Sequence, residues 1–153
     1  MSNLPNGKGT NGKTISPGDV TILIPTLNEE EAIGKVIQEL KSYGYHNILV
    51  IDGYSQDRTV EIARENRAKV IYQVGHGKAA AIKTGLERVR TPYVLIMDGD
   101  GTYDPKDIER LLKVAVEYGY DEVIGYRVNR KNIPALNRLG NKVISHFLSL
   151  LMG

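Results

Sequence analysis

Four short apolar runs, each closed by small polar or acidic residues and each followed by a segment with helical spacing, constrain this chain more than any other feature. Val20–Ile24, Ile48–Ile51, Lys69–Val74 and Pro92–Met97 read as strands, and the first is expected to end at Pro25. The first helix is expected after Asn28, which would cap it with Glu31 in the reciprocal position; Ala32, Ile33, Val36, Ile37 and Leu40 recur at helical spacing up to Gly44. Ser55 or Asp57 would cap a second helix carrying Val60, Ile62 and Ala63. Gly77–Val89 reads as a third, with Ala80, Ala81, Ile82 and Leu86 inward. Pro105 opens a fourth, whose apolar stripe is Ile108, Leu111, Leu112 and Ala115. Glu122–Gly125 and Ala135–Met152 complete the pattern as a fifth strand and a last helix. Such alternation with short connections predicts an α/β fold: a Rossmann-like, mainly parallel sheet with helices on both faces.

The first nineteen residues, rich in Gly, Asn, Ser and Lys, read as a flexible leader, with residues 20–153 as one domain. Within the leader, Gly7 to Thr14 matches the phosphate-loop pattern GxxxxGK[ST]. That pattern has meaning only between a strand and a helix, and neither flanks it here. The chain has no cysteine, which excludes disulfides and thiolate metal sites, and its three histidines are scattered. A net charge of +2 gives no global case for nucleic-acid binding. No run approaches the roughly 20 apolar residues of a membrane span, and no signal peptide is evident. The expectation is a cytoplasmic protein, soluble or peripheral on a membrane.

The strand ends carry the chemistry. In an open parallel sheet they converge on one edge, where ligands bind. The stretch Val94 to Pro105, VLIMDGDGTYDP, releases Asp98 and Asp100 directly behind a buried strand, separated only by Gly99. Two carboxylates this close repel unless a cation or proton lies between them. Oxygen ligands suit Mg²⁺ or Mn²⁺, which usually completes its shell with substrate phosphates. The competing explanation is a plain turn rich in Asp and Gly. Asp52 ends its strand too early to cap the next helix. Asn28 and Ser55, by contrast, are ordinary capping residues. Gly75-His76-Gly77-Lys78 precedes a helix, where glycines and the helix N-terminus favour an anion and Lys78 can meet it; a simple strand-to-helix turn explains the same residues.

Taken in order, IPTLNEE, VIDGYSQDRT, GHGKAAAIKTGL, VLIMDGDGTYDP, VIGYRVNR and NRLGNKVIS resemble the family 2 glycosyltransferases of the GT-A fold, and among them the dolichyl-phosphate mannose and glucose synthases and other polyprenyl-phosphate transferases. The resemblance covers Val20 to the C-terminus. It implies a nucleotide pocket lined by Pro25, Leu27 and Glu29, with Asp52 on the base or ribose. Asp98 and Asp100 would form the DxD element, Asp100 as the direct ligand of Mg²⁺ or Mn²⁺ and Asp98 with Gly99 nearer the ribose and sugar. Lys78 belongs to the GKG-like turn, and Arg127 and Arg138 match basic positions facing the acceptor phosphate. The donor would be a UDP- or GDP-sugar, the acceptor a polyprenyl phosphate, and the outcome inversion.

Three departures matter. Asp52 is followed by Gly53 where the family usually has a second Asp. Thr102 stands where mannose synthases often have Gln, which favours a UDP-sugar over GDP-mannose. The chain stops at Gly153, short of the acceptor-side segment of its relatives, so it is expected to be truncated. The last helix has a broad apolar face suited to a membrane surface, or to ordinary packing. Arg127 and Arg138 equally fit a solvated basic surface. Two other functions compete: a non-catalytic nucleotide-sugar-binding fragment needing a partner segment, and a sugar nucleotidyltransferase. The second normally carries a glycine-rich basic loop after the first strand, which Pro25–Glu29 lacks.

Overall fold

The computed structural model describes residues 14–119, 121 and 122. Of the expected fifth strand only Glu122 is among them. The last helix, Arg127, Arg138 and all but the end of the leader lie outside.

After a short 3-10 turn at Pro17–Asp19, the elements run β1 (Val20–Thr26), α1 (Ile33–Ser42), β2 (Ile48–Asp52), α2 (Thr59–Glu65), β3 (Lys69–Tyr72), α3 (Gly77–Leu86), β4 (Tyr93–Ile96) and α4 (Lys106–Tyr118). All strand pairs are parallel, in the order β3-β2-β1-β4, with helices on both faces as the alternation predicts. Strand periodicity divides the core. Val20, Ile22, Ile24, Ile48 and Val50 face Ile33, Val36, Ile37 and Leu40 of α1, together with Ala63 and Ile108. Leu23, Leu49 and Ile51 point the other way, against Ala81 of α3. Ile15, inside the segment read as leader, packs on the first cluster.

β1 does not end at Pro25. It continues to Thr26, with Pro25 opposite Ile51 and Thr26 opposite Asp52. Proline is tolerated in this interior strand because successive residues bond to opposite neighbours. The Thr26 carbonyl accepts the Gly53 N–H on the β2 side, and the Leu23 carbonyl accepts the Met97 N–H on the β4 side. The next link to β4 would need an N–H from residue 25, which proline lacks. The β1–β4 ladder therefore stops at Met97, and the chain is released just before Asp98.

The expected caps are also corrected. Asn28 has a left-handed backbone, φ 54°, and does not cap α1, which begins only at Ile33. Its side-chain oxygen instead accepts the Gln56 N–H. At α2 it is Asp57, not Ser55, that accepts the Thr59 N–H. α3 ends at Leu86 rather than Val89, and Leu86 is exposed. Gly85 sets that geometry: a Cβ there would lie 2.5 Å from Leu23 Cδ1, so α3 approaches the sheet at Gly85 and turns Leu86 outward. β3 and β4 are each shorter than expected, and β4 is only half-buried, with Val94 exposed, where the sequence suggests a buried strand. On α4, Ile108 is buried, whereas Leu111, Leu112 and Ala115 are half-buried among the described residues.

Candidate active site

The connections through α1 and α2 step from β1 to β2 to β3, and the connection through α3 returns the chain to the far side of β1. The strand order thus reverses between β1 and β4. Crevices at such switch points, outside the carboxyl ends of the strands, are where open α/β sheets bind ligands. The end of β4 at this crevice is Asp98-Gly99-Asp100.

Gly99 is buried beneath the end of β1. A Cβ at this position would stand 2.9 Å from Thr26 Cγ2 and 3.3 Å from Ile24 Cγ2, so no side chain fits between the two aspartates. Asp98 is ion-paired with Lys78, the second residue of α3. One oxygen of Asp100 accepts both the Thr102 N–H at 3.0 Å and the Thr102 hydroxyl at 2.6 Å. Thr102 therefore orients Asp100, a role that sequence reading missed; an aspartate two residues before a threonine was the available signal. Glu29 is half-buried on the neighbouring loop. Desolvation, and then the charges of Asp100 and Asp98, hold its carboxyl above the ordinary value despite the opposing effect of Lys78.

The loops after β1 and β2 are joined by hydrogen bonds. The Asn28 N–H donates to Ser55 Oγ at 2.9 Å, the Glu29 N–H to Thr59 Oγ1 at 2.8 Å and the Glu30 N–H to Asp57 Oδ2 at 3.1 Å. The Arg58 N–H returns a bond to Glu30 Oε2 at 3.0 Å. Asp52 lies below, fully buried, accepting the Ser55 N–H at 2.8 Å and the Ser55 hydroxyl at 2.6 Å. Desolvation pushes Asp57 up, but bonds from the Thr59 hydroxyl and N–H and the Glu30 N–H outweigh it, leaving Asp57 below the usual carboxylate range. This network holds Leu27 out to solvent and Glu29 toward the aspartate pair; Pro25 is buried under the loop.

Lys78, Asp98, Gly99, Asp100 and Glu29 thus come together around the crevice, with Asp52, Pro25 and Leu27 along β1 and β2. No cluster of three or more His, Asp or Glu side chains is placed to hold a metal among the described residues. Two carboxylates with open positions nonetheless fit Mg²⁺ or Mn²⁺, which typically uses one or two carboxylates plus substrate phosphates rather than an all-protein cage. None of the helices among the described residues is long and apolar enough to cross a membrane.

The family model of glycosyl transferase family 2 matches residues 21–150. The chain is 42% identical over 142 residues to glycosyltransferase AglJ of Haloferax volcanii, covering 90% of this chain and 46% of that protein. It is 35% identical over 139 residues to a dolichyl-phosphate hexose transferase of the same organism, covering 88% and 60%. It therefore spans about half the length of these relatives. Among solved structures, it is similar in fold to glucosyl-3-phosphoglycerate synthase from Mycobacterium tuberculosis in complex with Mn²⁺ and UDP-glucose. The TM-score is 0.57 at 22% identity, covering 76% of this chain and 49% of that one.

Proposed function

The chain belongs to glycosyl transferase family 2, and from that premise we propose that it moves a hexose from a nucleoside-diphosphate sugar, a UDP-sugar in preference to GDP-mannose, to a polyprenyl or dolichyl phosphate. The observation that carries the reading is Asp98-Gly99-Asp100 at the switch-point end of β4, beside Lys78. The dolichyl-phosphate relative supports the acceptor class, and the Mn²⁺ and UDP-glucose complex of the structural neighbour supports the donor and metal.

Asp100, with Asp98, would hold Mg²⁺ or Mn²⁺, which when bound neutralises charge on the leaving diphosphate. Lys78, at the positive end of α3, gives the phosphates a second cation. Leu27 and Glu29 line the nucleotide side, while Pro25, Asp52 and Gly99 support it from below. The acceptor phosphate is anionic at pH 7, so the reaction needs no strong general base. A phosphate oxygen bonds to the anomeric carbon as the bond to the diphosphate oxygen breaks, with inversion. Arg127 and Arg138 would hold the acceptor phosphate by forked hydrogen bonds, and Ala135–Met152 would lie at the membrane surface.

The test is calorimetric titration with UDP and GDP, with and without Mn²⁺, on the chain and on Asp100→Ala, followed by transfer of labelled sugar to dolichyl phosphate. Metal-dependent binding of UDP, lost in the variant, with label reaching the lipid, is the expected result. Absence of binding by both nucleotides would remove the donor site, and binding without transfer would leave a nucleotide-sugar-binding module.

A further inference from the structure

Tyr54, just beyond the Asp52-Gly53 end of β2, has a left-handed backbone with φ 64°. That conformation costs a residue other than glycine about 1 kcal/mol and is easiest for Asn or Asp. If this position served only the turn, a small residue would serve better. The conformation is held by the part-buried Asp52–Ser55 bonds and by Gln56 Nε2, which donates to the Tyr54 carbonyl at 3.1 Å. Its ring stacks on Tyr72, centroids 5.3 Å apart and planes 14° from parallel. Tyr72 ends β3 directly opposite Asp52. The pair is not core: Tyr54 is 56% and Tyr72 45% exposed. A strained backbone, fixed by polar bonds that reach down to buried Asp52, thus holds an aromatic stack out at the carboxyl edge of the sheet.

Its position suggests the occupant. Strand order places β1 and β2 between the aspartate pair and β3. At ordinary strand spacing the ends of β4 and β3 are about 14 Å apart. With the nucleotide side proposed above at the ends of β1 and β2, a diphosphate anchored at Asp98 and Asp100 would send its nucleoside across those ends toward β3. Building on the donor site proposed above, we propose that the Tyr54–Tyr72 stack is the platform on which the donor's nucleobase lies. Asp52 is fully buried beneath Ser55, whereas the two rings are exposed, so what the platform offers a base is an aromatic face. Stacking of this kind accepts any base. It strengthens UDP and GDP binding alike and leaves the choice between them to other groups.

The experiment compares the full chain with Tyr54→Asn and Tyr72→Leu by calorimetry, using Mn²⁺ with UDP, GDP or pyrophosphate, alongside thermal unfolding. Asparagine tolerates the left-handed turn, so Tyr54→Asn keeps or raises the thermal midpoint. Both variants are expected to bind UDP and GDP about tenfold more weakly and pyrophosphate as well as the parent does. Unchanged nucleotide affinity would overturn the platform and leave the donor site standing. An equal loss for pyrophosphate would also overturn it, by showing general damage to the site. If the parent binds none of the three probes, the donor-site reading itself fails and the platform with it.

Discussion

Asp52 grips Ser55 with both oxygens of a completely buried carboxylate, the N–H at 2.8 Å and the hydroxyl at 2.6 Å, while the same Ser55 oxygen accepts the Asn28 N–H. One hydroxyl thereby joins the ends of β1 and β2. Ser55→Ala removes a bond to a buried charge and strips Asn28 of its acceptor. The expected loss is about 2 kcal/mol, read from urea denaturation at unchanged m-value. A loss below about 0.5 kcal/mol would mean that the network does not hold the loops.

Gly99→Ala tests the fit of the aspartate pair under β1. The added methyl would stand 2.9 Å from Cγ2 of the buried Thr26 side chain, so something must shift. Overpacking of this kind costs about 1–3 kcal/mol. A shift of the Asp98-Gly99-Asp100 backbone moves both carboxylates, so Mn²⁺-dependent nucleotide binding should fall by about tenfold or more. A variant with the parent's binding and stability would refute the close-fit account.

Much of the fold is legible in residue periodicity, because Ile22, Ile24 and Val50 against Leu23, Leu49 and Ile51 already separate the two faces of the sheet. What misleads is polar chemistry with distant partners. Asn28 and Ser55 resemble caps, but Asn28 pairs with Ser55 and Gln56, 27 and 28 residues away in the other loop, and Ser55 donates back to Asp52. Pro25 resembles a strand terminator because nothing local says that its N–H side faces a ladder about to end. The aspartate pair is visible at once, whereas Lys78 joins it only because Gly85 lets α3 lie close to Leu23 and Ile51. The Tyr54–Tyr72 stack depends on the register that sets Tyr72 opposite Asp52.

Lys78 paired with Asp98 competes with any cation for that carboxylate. Lys78→Met keeps the aliphatic stem and removes the charge. Mn²⁺ alone should then bind more tightly, by at most about fivefold, since a partly exposed pair is worth no more than about 1 kcal/mol. Mn²⁺ with UDP should bind more weakly, because the phosphates lose a cation. Titrations of the two probes must move in opposite directions; weakening of both would assign Lys78 a structural role instead.

Glu29 gives the site a pH signature. Its carboxyl is held above the ordinary 4.5 by desolvation first and then by Asp100 and Asp98. The folded chain therefore binds this proton more tightly than the unfolded chain. Stability contributed by the protonated form is present at low pH and falls as pH rises from 4.5 through the folded value. Glu29→Gln removes the charge that the aspartates oppose while leaving the Glu29 N–H bond to Thr59 available. At pH 7 the variant should melt about 2 °C higher than the parent, the gap closing toward pH 4. A divalent ion at the aspartate pair offsets the part of the shift that Asp100 and Asp98 add to desolvation, so Mn²⁺ with UDP should narrow the gap at pH 7 without closing it. Thermal unfolding across this pH range, with and without Mn²⁺ and UDP, measures both effects. A gap that ignores pH would show that Glu29 does not feel the aspartates. A gap that follows pH but ignores the metal would place the ion elsewhere.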